Sequence, residues 1–347
     1  MTLRALMSAR IAATGPIPLA DYMAEALMHA EHGYYATRDP FGAAGDFTTA
    51  PEISQMFGEL IGLSLAQAWL DQGSPAQFAL AEFGPGRGTL MADILRATTA
   101  VPGFHAAAQI HLVETSPVLR AQQAKRLDAT WHNDVTTLPD LPLFLVANEF
   151  FDALPIRQFH RDPAGWREVQ IGPDLTAGLS APAPIALLDH RLADTQAGDI
   201  VEHCPALAPI IAQIGERIAA RGGAALIVDY GDWRSLGDTL QALQNHTPVD
   251  PFVDPGSADI TAHVDFEAIA TAASPALYTR LTPQGVFLES LGITQRAQAL
   301  AASLSDAALD AHVAAHRRLT HPSEMGTLFK VLGLYPDGAP CIAGLEP

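Results

Sequence analysis

Two cysteines in 347 residues, Cys204 and Cys341, cannot staple a chain of this size, and neither sits in a C-x-x-C pair. A disulfide framework is excluded, and a reducing compartment follows. Lysine is nearly absent: Lys125 and Lys330 are the only two, and arginine carries almost all the positive charge, a usage we attribute to codon bias. No cluster of basic residues occurs. The balance of 20 basic against 38 acidic side chains, formally −18, removes the electrostatic footprint of a general nucleic-acid or anionic-membrane binder. No apolar run approaches the roughly 18 residues of a membrane span; the strongest, 141–147, has strand length. The start carries Arg4 and Arg10 with no acid before Asp21, yet it lacks a signal-peptide core and cleavage site. It reads as a helix stopped at Gly15-Pro16 rather than an import sequence. Hydrolase and metal signatures are missing as well. There is no G-x-S-x-G, His312 and His316 lack the glutamate of H-E-x-x-H, and His29 and His32 have no third ligand.

What is present is a globular chain, 48% hydrophobic and 17% charged, of a length that suits two domains or one large domain with additions. The spacing of apolar residues predicts helices over 19–30 and 56–70, joined by a segment rich in glycine and aromatics. From residue 77 the pattern alternates. FALAEF, QIHLVE, a short segment before WHND, LFLVANEF and GAALIVDYG are strands, and helices follow Gly88 and Ser116. This predicts an α/β fold of the Rossmann-like, doubly wound, mostly parallel type, with an added N-terminal helical or lid region over 1–75 and the core over 76–347. Insertions are expected as a β-hairpin over 156–171 and as loop and helices over 231–318. Residues 172–199 and 231–262 read as loop, and 325–334 as a closing strand. A ligand belongs beyond the carboxyl ends of the strands.

Glu82-Phe-Gly84-Pro-Gly86-Arg-Gly88 follows the first strand and opens a helix. Thr89 stands where the dinucleotide fingerprint needs its third small residue, Pro85 removes a donor a pyrophosphate would use, and no Lys-Ser/Thr pair follows. E-x-G-x-G-x-G is instead the first motif of class I S-adenosyl-L-methionine-dependent methyltransferases, whose cofactor is a cationic sulfonium amino acid joined to a nucleoside. Acids then make electrostatic sense: Glu82 toward the cationic end, Glu114 for the ribose hydroxyls and Asp134 for the adenine amino group.

With GYYATRDPFGAAGDFTTAPEISQMFGE (33–59), AEFGPGRGTLMADILR (81–96), HLVETSP (111–117), ANEFFDALPIRQF (147–159), LIVDYG (226–231), ADITAHVDF (258–266) and MGTLFKVL (325–332), the chain resembles the MidA-like methyltransferases over 17–333. That family includes the mitochondrial complex I assembly arginine methyltransferase. The resemblance implies methyl transfer from S-adenosyl-L-methionine to a protein arginine, giving symmetric dimethylarginine on the 49 kDa-type subunit of complex I.

A guanidinium is protonated and delocalised, so an enzyme must hold it with carboxylates and aim one nitrogen at the donor methyl. Glu149 is the expected clamp, Asn148 positions the acceptor and Asp152 is a second candidate. Asp46 is a candidate lid contact to the cofactor. Asp229, at the end of the fifth strand, and His263 are candidate substrate residues, although His263 and Asp265 also fit a helix start capped by Thr261. A small-molecule methyltransferase and a cofactor-binding assembly chaperone without transfer activity are the competing readings. Bacterial cytoplasm is the expected location, or the mitochondrial matrix if the source is eukaryotic. No nucleic acid, membrane insertion or metal is expected.

Overall fold

The computed structural model describes residues 1–37 and 49–347. These form two compact units, one drawn from 1–37, Asp152–Leu207 and Asp232–Asp265, the other from 49–151, Ala208–Gly231 and Phe266–Pro347. The chain therefore divides at other points than residue 75, and strand pairing gives the reason. Ile17–Pro18 pairs antiparallel with Gly165–Ile171, Ile17 lying opposite Ile171. The helix Leu19–Met28 then buries Leu19, Tyr22, Met23, Ala26 and Leu27 in one cluster with Ile156, Val169 and Ile260. The N-terminal helices have their apolar faces covered by the insertions.

The hairpin expected from the sequence is present. Arg157–Asp162 pairs with Gly165–Ile171, and the Asp162 carboxylate accepts the Ala164 N–H at 2.9 Å to fix the turn. Two stretches that read as loop contain strands. Ala177–Leu179 joins the hairpin sheet, and Gln241–Gln244, Thr247–Val249 and Asp259–Thr261 make a three-stranded sheet of their own. Each strand has three or four residues, and both Ala177–Leu179 and Thr247–Val249 are exposed throughout, so no alternation marks them. Thr261 pairs with Gln241 and caps no helix; the next helix begins at Phe266.

The second unit carries the doubly wound sheet. Its six main strands, in a sheet that also has short edge strands, are β1 (Phe78–Phe83), β2 (Ala108–Val113), β3 (Thr130–His132), β4 (Leu143–Asn148), β5 (Gly223–Asp232) and β6 (Phe329–Tyr335), arranged in the order β3-β2-β1-β4-β5-β6. All neighbours are parallel except β6, which runs antiparallel against β5 with Val331 opposite Val228. β1 and β4 are buried at every residue, as central parallel strands covered on both faces must be. Three helices of this unit frame the site: α1 (Gln55–Asp71), α2 (Thr89–Thr98) and α3 (Pro117–Gln123). Ser116 caps α3, its hydroxyl accepting the Leu119 N–H at 3.4 Å ahead of Pro117 in the first turn.

One buried acid ties the helices together. Glu59 of α1, 4% exposed, pairs with Arg96 of α2 and with Arg296, whose Nε and Nη2 reach its two oxygens at 2.7 and 3.0 Å. Charge-assisted pairing of this kind offsets the desolvation of the carboxylate. Glu59→Gln is expected to lower unfolding stability by about 1–3 kcal/mol, read as a lower urea midpoint at constant slope. An unchanged midpoint would remove the tie.

Candidate active site

The strand order reverses between β1 and β4, and open α/β sheets bind ligands beyond the carboxyl ends at such a switch point. The loop leaving β1 is pinned where it starts, the Gly84 N–H donating to Val113 O at 3.0 Å. Gly84, Gly86 and Gly88 have φ of +60°, +51° and +76°, the left-handed region that favours glycine. Space is short as well: a Cβ on Gly88 would lie 3.0 Å from Leu127 Cδ1, and one on Gly84 3.1 Å from the Phe150 ring. α2 starts at Thr89 with a glycine at its N-cap, so no N-cap side chain covers the first turn, where Glu82 takes the Met91 N–H. The Thr89 hydroxyl donates to Glu52 at 2.6 Å and accepts from Arg126 at 2.8 Å.

Glu82 ends β1 nearly sealed, 3% exposed, and its Oε2 has no hydrogen-bond partner among the described residues. Burial pushes its carboxyl up to about 8; the Met91 N–H offsets this in part, and Glu114 adds to it. A cation with N–H donors would supply the missing partner of Oε2 together with a countercharge. The donor set therefore fits the ammonium end of the sulfonium cofactor better than any phosphate.

Glu114 follows β2. Its Oε1 accepts the Ser116 N–H at 2.8 Å and its Oε2 accepts Gln123 Nε2 at 3.4 Å, while burial raises its carboxyl above the usual range. Arg120 of α3 clamps the neighbouring strand tips, donating to Glu114 O at 2.7 Å, His132 O at 2.8 Å and Asn133 Oδ1 at 2.7 Å. Asp134, after β3, is exposed and accepts the Thr136 N–H at 2.8 Å; hydrogen bonds from Thr136 hold its carboxyl below the usual range.

On the other side of the switch point, Asn148 closes β4. Its Nδ2 donates to Glu149 Oε1 at 3.2 Å, and its buried Oδ1 lacks a partner among the described residues. Glu149 itself has φ +50°, a strained setting for a glutamate, held because its N–H donates to Val228 O at 2.9 Å. Its carboxylate also accepts the Ala50 N–H at 3.3 Å. Asp229 of β5 is fully buried and accepts the Phe151 N–H at 3.0 Å and the Tyr230 N–H at 2.9 Å, bracing the turn after β4.

The sheet thus gathers Glu82, the three loop glycines, Glu114, Asp134, Asn148, Glu149 and Asp229 at the carboxyl ends of its parallel strands. Asp152 and His263 belong to the other unit. There the Asp152 carbonyl accepts the Ala262 N–H at 3.0 Å, and the His263 N–H donates to Thr239 Oγ1 at 2.8 Å. Asp46 lies outside the described residues. Among the described residues no group of His, Cys, Asp and Glu could hold a metal. One residue escaped the sequence reading: Gln123, fully buried, whose Nε2 donates to Gly86 O at 2.7 Å and whose Oε1 accepts Trp131 Nε1 at 2.8 Å. It stands beside another glutamine in a polar run, and nothing in that run distinguishes it.

A family of S-adenosyl-L-methionine-dependent methyltransferases matches residues 60–283. The chain belongs to that family. Curated relatives include the Drosophila melanogaster protein arginine methyltransferase NDUFAF7 homolog, mitochondrial, 35% identical over 95% of this chain and 84% of that protein. The Homo sapiens protein arginine methyltransferase NDUFAF7, mitochondrial, is 36% identical over 94% of this chain and 82% of its own length. Among solved structures, a Burkholderia thailandensis protein described as a methyl transferase and bound to S-adenosyl-homocysteine superposes with a TM-score of 0.82 at 30% identity, covering 99% of this chain and 93% of that one. The cofactor of this methyltransferase is S-adenosyl-L-methionine, and its fold is the doubly wound α/β type expected. Among the described residues no helix is long and apolar enough to cross a membrane.

The loop geometry gives a direct test in the methyltransferase. Gly88→Ala is expected to cost about 1–3 kcal/mol of stability through backbone strain and contact with Leu127, with weaker S-adenosylhomocysteine binding by calorimetry. Wild-type values for both would show that the turn tolerates a side chain.

Proposed function

We propose that this methyltransferase modifies arginine side chains of a protein, as the names of its curated relatives suggest. The observation that carries the reading is the acceptor pair at the end of β4. Asn148 Oδ1 is buried without a partner among the described residues, and the Glu149 carboxylate is fixed beside it at a strained turn. A guanidinium offers five N–H donors and no acceptor, so an amide oxygen next to a carboxylate is complementary to it. Symmetric dimethylation of a complex I subunit, with action in the bacterial cytoplasm or the mitochondrial matrix, is the finer proposal and rests on the family resemblance of the sequence blocks.

Bound S-adenosyl-L-methionine supplies an electrophilic methyl group on a positively charged sulfur. Glu82 holds the ammonium end, Glu114 accepts the ribose hydroxyls and Asp134 takes the adenine amino group. Glu149 would bind the guanidinium, concentrate its electron density on the attacking nitrogen and accept the proton that nitrogen releases when it takes the methyl group, the S–C bond breaking as the N–C bond forms and its electron pair staying on the thioether product. Asn148 orients that nitrogen, and Asp229 keeps the turn in place through Phe151. Asp152 is the second candidate for the clamp, His263 a candidate on the substrate side and Asp46 a candidate lid contact.

Purified protein incubated with methyl-labelled cofactor and candidate complex I subunits should place label on arginine. Label on metabolites alone would favour a small-molecule enzyme, and binding without transfer a chaperone. Glu149→Ala should reduce transfer by about 100-fold or more while S-adenosylhomocysteine affinity stays within about threefold; unchanged turnover would remove the assignment.

Glu82 gives a pH test. Its folded carboxyl titrates near 8, above the ordinary 4.5, so the folded state holds a proton that the unfolded chain has lost between those values. The cofactor-free protein should lose stability as pH rises from 4.5 through 8, and Glu82→Gln should flatten that slope in thermal unfolding. Binding the ammonium requires the ionised carboxylate. Calorimetry at pH 7 in two buffers of different ionisation enthalpy should therefore detect release of up to about one proton, absent in Glu82→Gln.

A further inference from the structure

Gln123 closes α3, fully buried, and every hydrogen-bonding group of its amide is used. The Trp131 indole donates to Oε1 at 2.8 Å, and because an indole N–H can only donate, it fixes which end of the amide is oxygen. Nε2 is then turned toward the cofactor elements. One hydrogen goes to Gly86 O at 2.7 Å in the glycine loop, the other to Glu114 Oε2 at 3.4 Å. The aliphatic stem supports the same loop: a Cβ on Gly88 would lie 3.5 Å from Gln123 Cγ. One side chain therefore joins the loop after β1, the acid after β2 and an aromatic residue of β3.

A glutamate has three side-chain torsions, and a carboxylate that must grip a vicinal diol gains from being held in one rotamer before the ligand arrives. Ser116 N–H fixes Oε1, while Gln123 fixes Oε2 and leaves acceptor capacity on the carboxylate for ribose hydroxyls. We propose that Gln123 is a positioning residue that sets the Glu114 carboxylate and the glycine loop relative to one another, and so selects a ribonucleoside cofactor. This rests on the assignment of Glu114 to the ribose.

The mechanism separates from simple core filling. An apolar replacement of equal bulk keeps the stem against Gly88 but removes the donors to Gly86 and Glu114, and it strands the Trp131 N–H. Loss of packing would weaken every adenosine ligand alike. Loss of rotamer control weakens those that use the diol.

The test measures Kd by calorimetry for S-adenosylhomocysteine and for its 2′-deoxy analogue, with thermal unfolding confirming that each variant is folded. Wild type is expected to prefer the ribose form by about tenfold, the worth of one charged hydrogen bond. Gln123→Leu should bind the ribose form about tenfold more weakly and the analogue nearly as wild type, so the preference collapses. Combined with Glu114→Gln it should add less than about threefold, because the two act on one interaction. Trp131→Phe, which frees the amide without touching the loop, should give a partial collapse of about threefold, and it carries the test if Gln123→Leu fails to fold. A retained preference in Gln123→Leu, or equal weakening of both ligands, overturns the inference and leaves the ribose assignment standing. Absence of any preference in wild type, with Glu114→Gln binding normally, overturns the ribose assignment and the inference with it.

Discussion

Glu82 is a carboxyl group placed at the end of a fully buried strand, with one oxygen lacking a donor among the described residues. In an apolar interior a lone carboxylate is costly, and the group answers by holding its proton. Such a residue does not stabilise the empty fold. We propose that its value is realised with a cation, and the surrounding loop has a shape that lets one approach: left-handed backbone at Gly84, Gly86 and Gly88, none of which carries a side chain, leading into a helix whose N-cap is itself a glycine. The rest of the cofactor side follows from the parallel sheet, which sets Glu114 and Asp134 at the ends of the next two strands.

Across the switch point the chemistry changes character. The β1–β3 tips present acids braced by backbone N–H groups, Arg120 and Gln123. The β4 tip presents an amide oxygen and a carboxylate carried on a strained residue, whose φ of +50° is maintained by hydrogen bonds to β5 and from Ala50. The same sheet therefore separates the half proposed to hold the nucleoside from the half proposed to take a group rich in N–H. Asp229 braces the acceptor half, since the strand that pairs with β4 also fixes the turn leaving it.

Much of this was legible in the sequence where the cause was local. FALAEF and LFLVAN form strands because runs of buried apolar residues suit central parallel positions, and Gly84, Gly86 and Gly88 announced a backbone no other residue adopts easily. Ser116-Pro117 gave its helix start for the same reason. What could not be read depends on partners distant in the chain. Gln241–Gln244 and Asp259–Thr261 are strands only because they find one another, and Ile17–Pro18 only because Gly165–Ile171 is there to pair with. Gln123 belongs to this class: its role comes from Gly86, Glu114 and Trp131, contacts that no spacing rule encodes.

The unit that contains the N-terminal helices is assembled from three separated stretches of chain, the last ending at Asp265. A ribosome therefore delivers Leu19, Tyr22 and Met23 long before Ile171 and Ile260 exist to cover them. At the usual 5–20 residues per second the gap from residue 37 to 265 lasts on the order of 10 to 50 s. During that interval an apolar amphipathic segment stands without its partners, which makes the nascent polypeptide a natural client for a holding chaperone until synthesis has passed the second insertion.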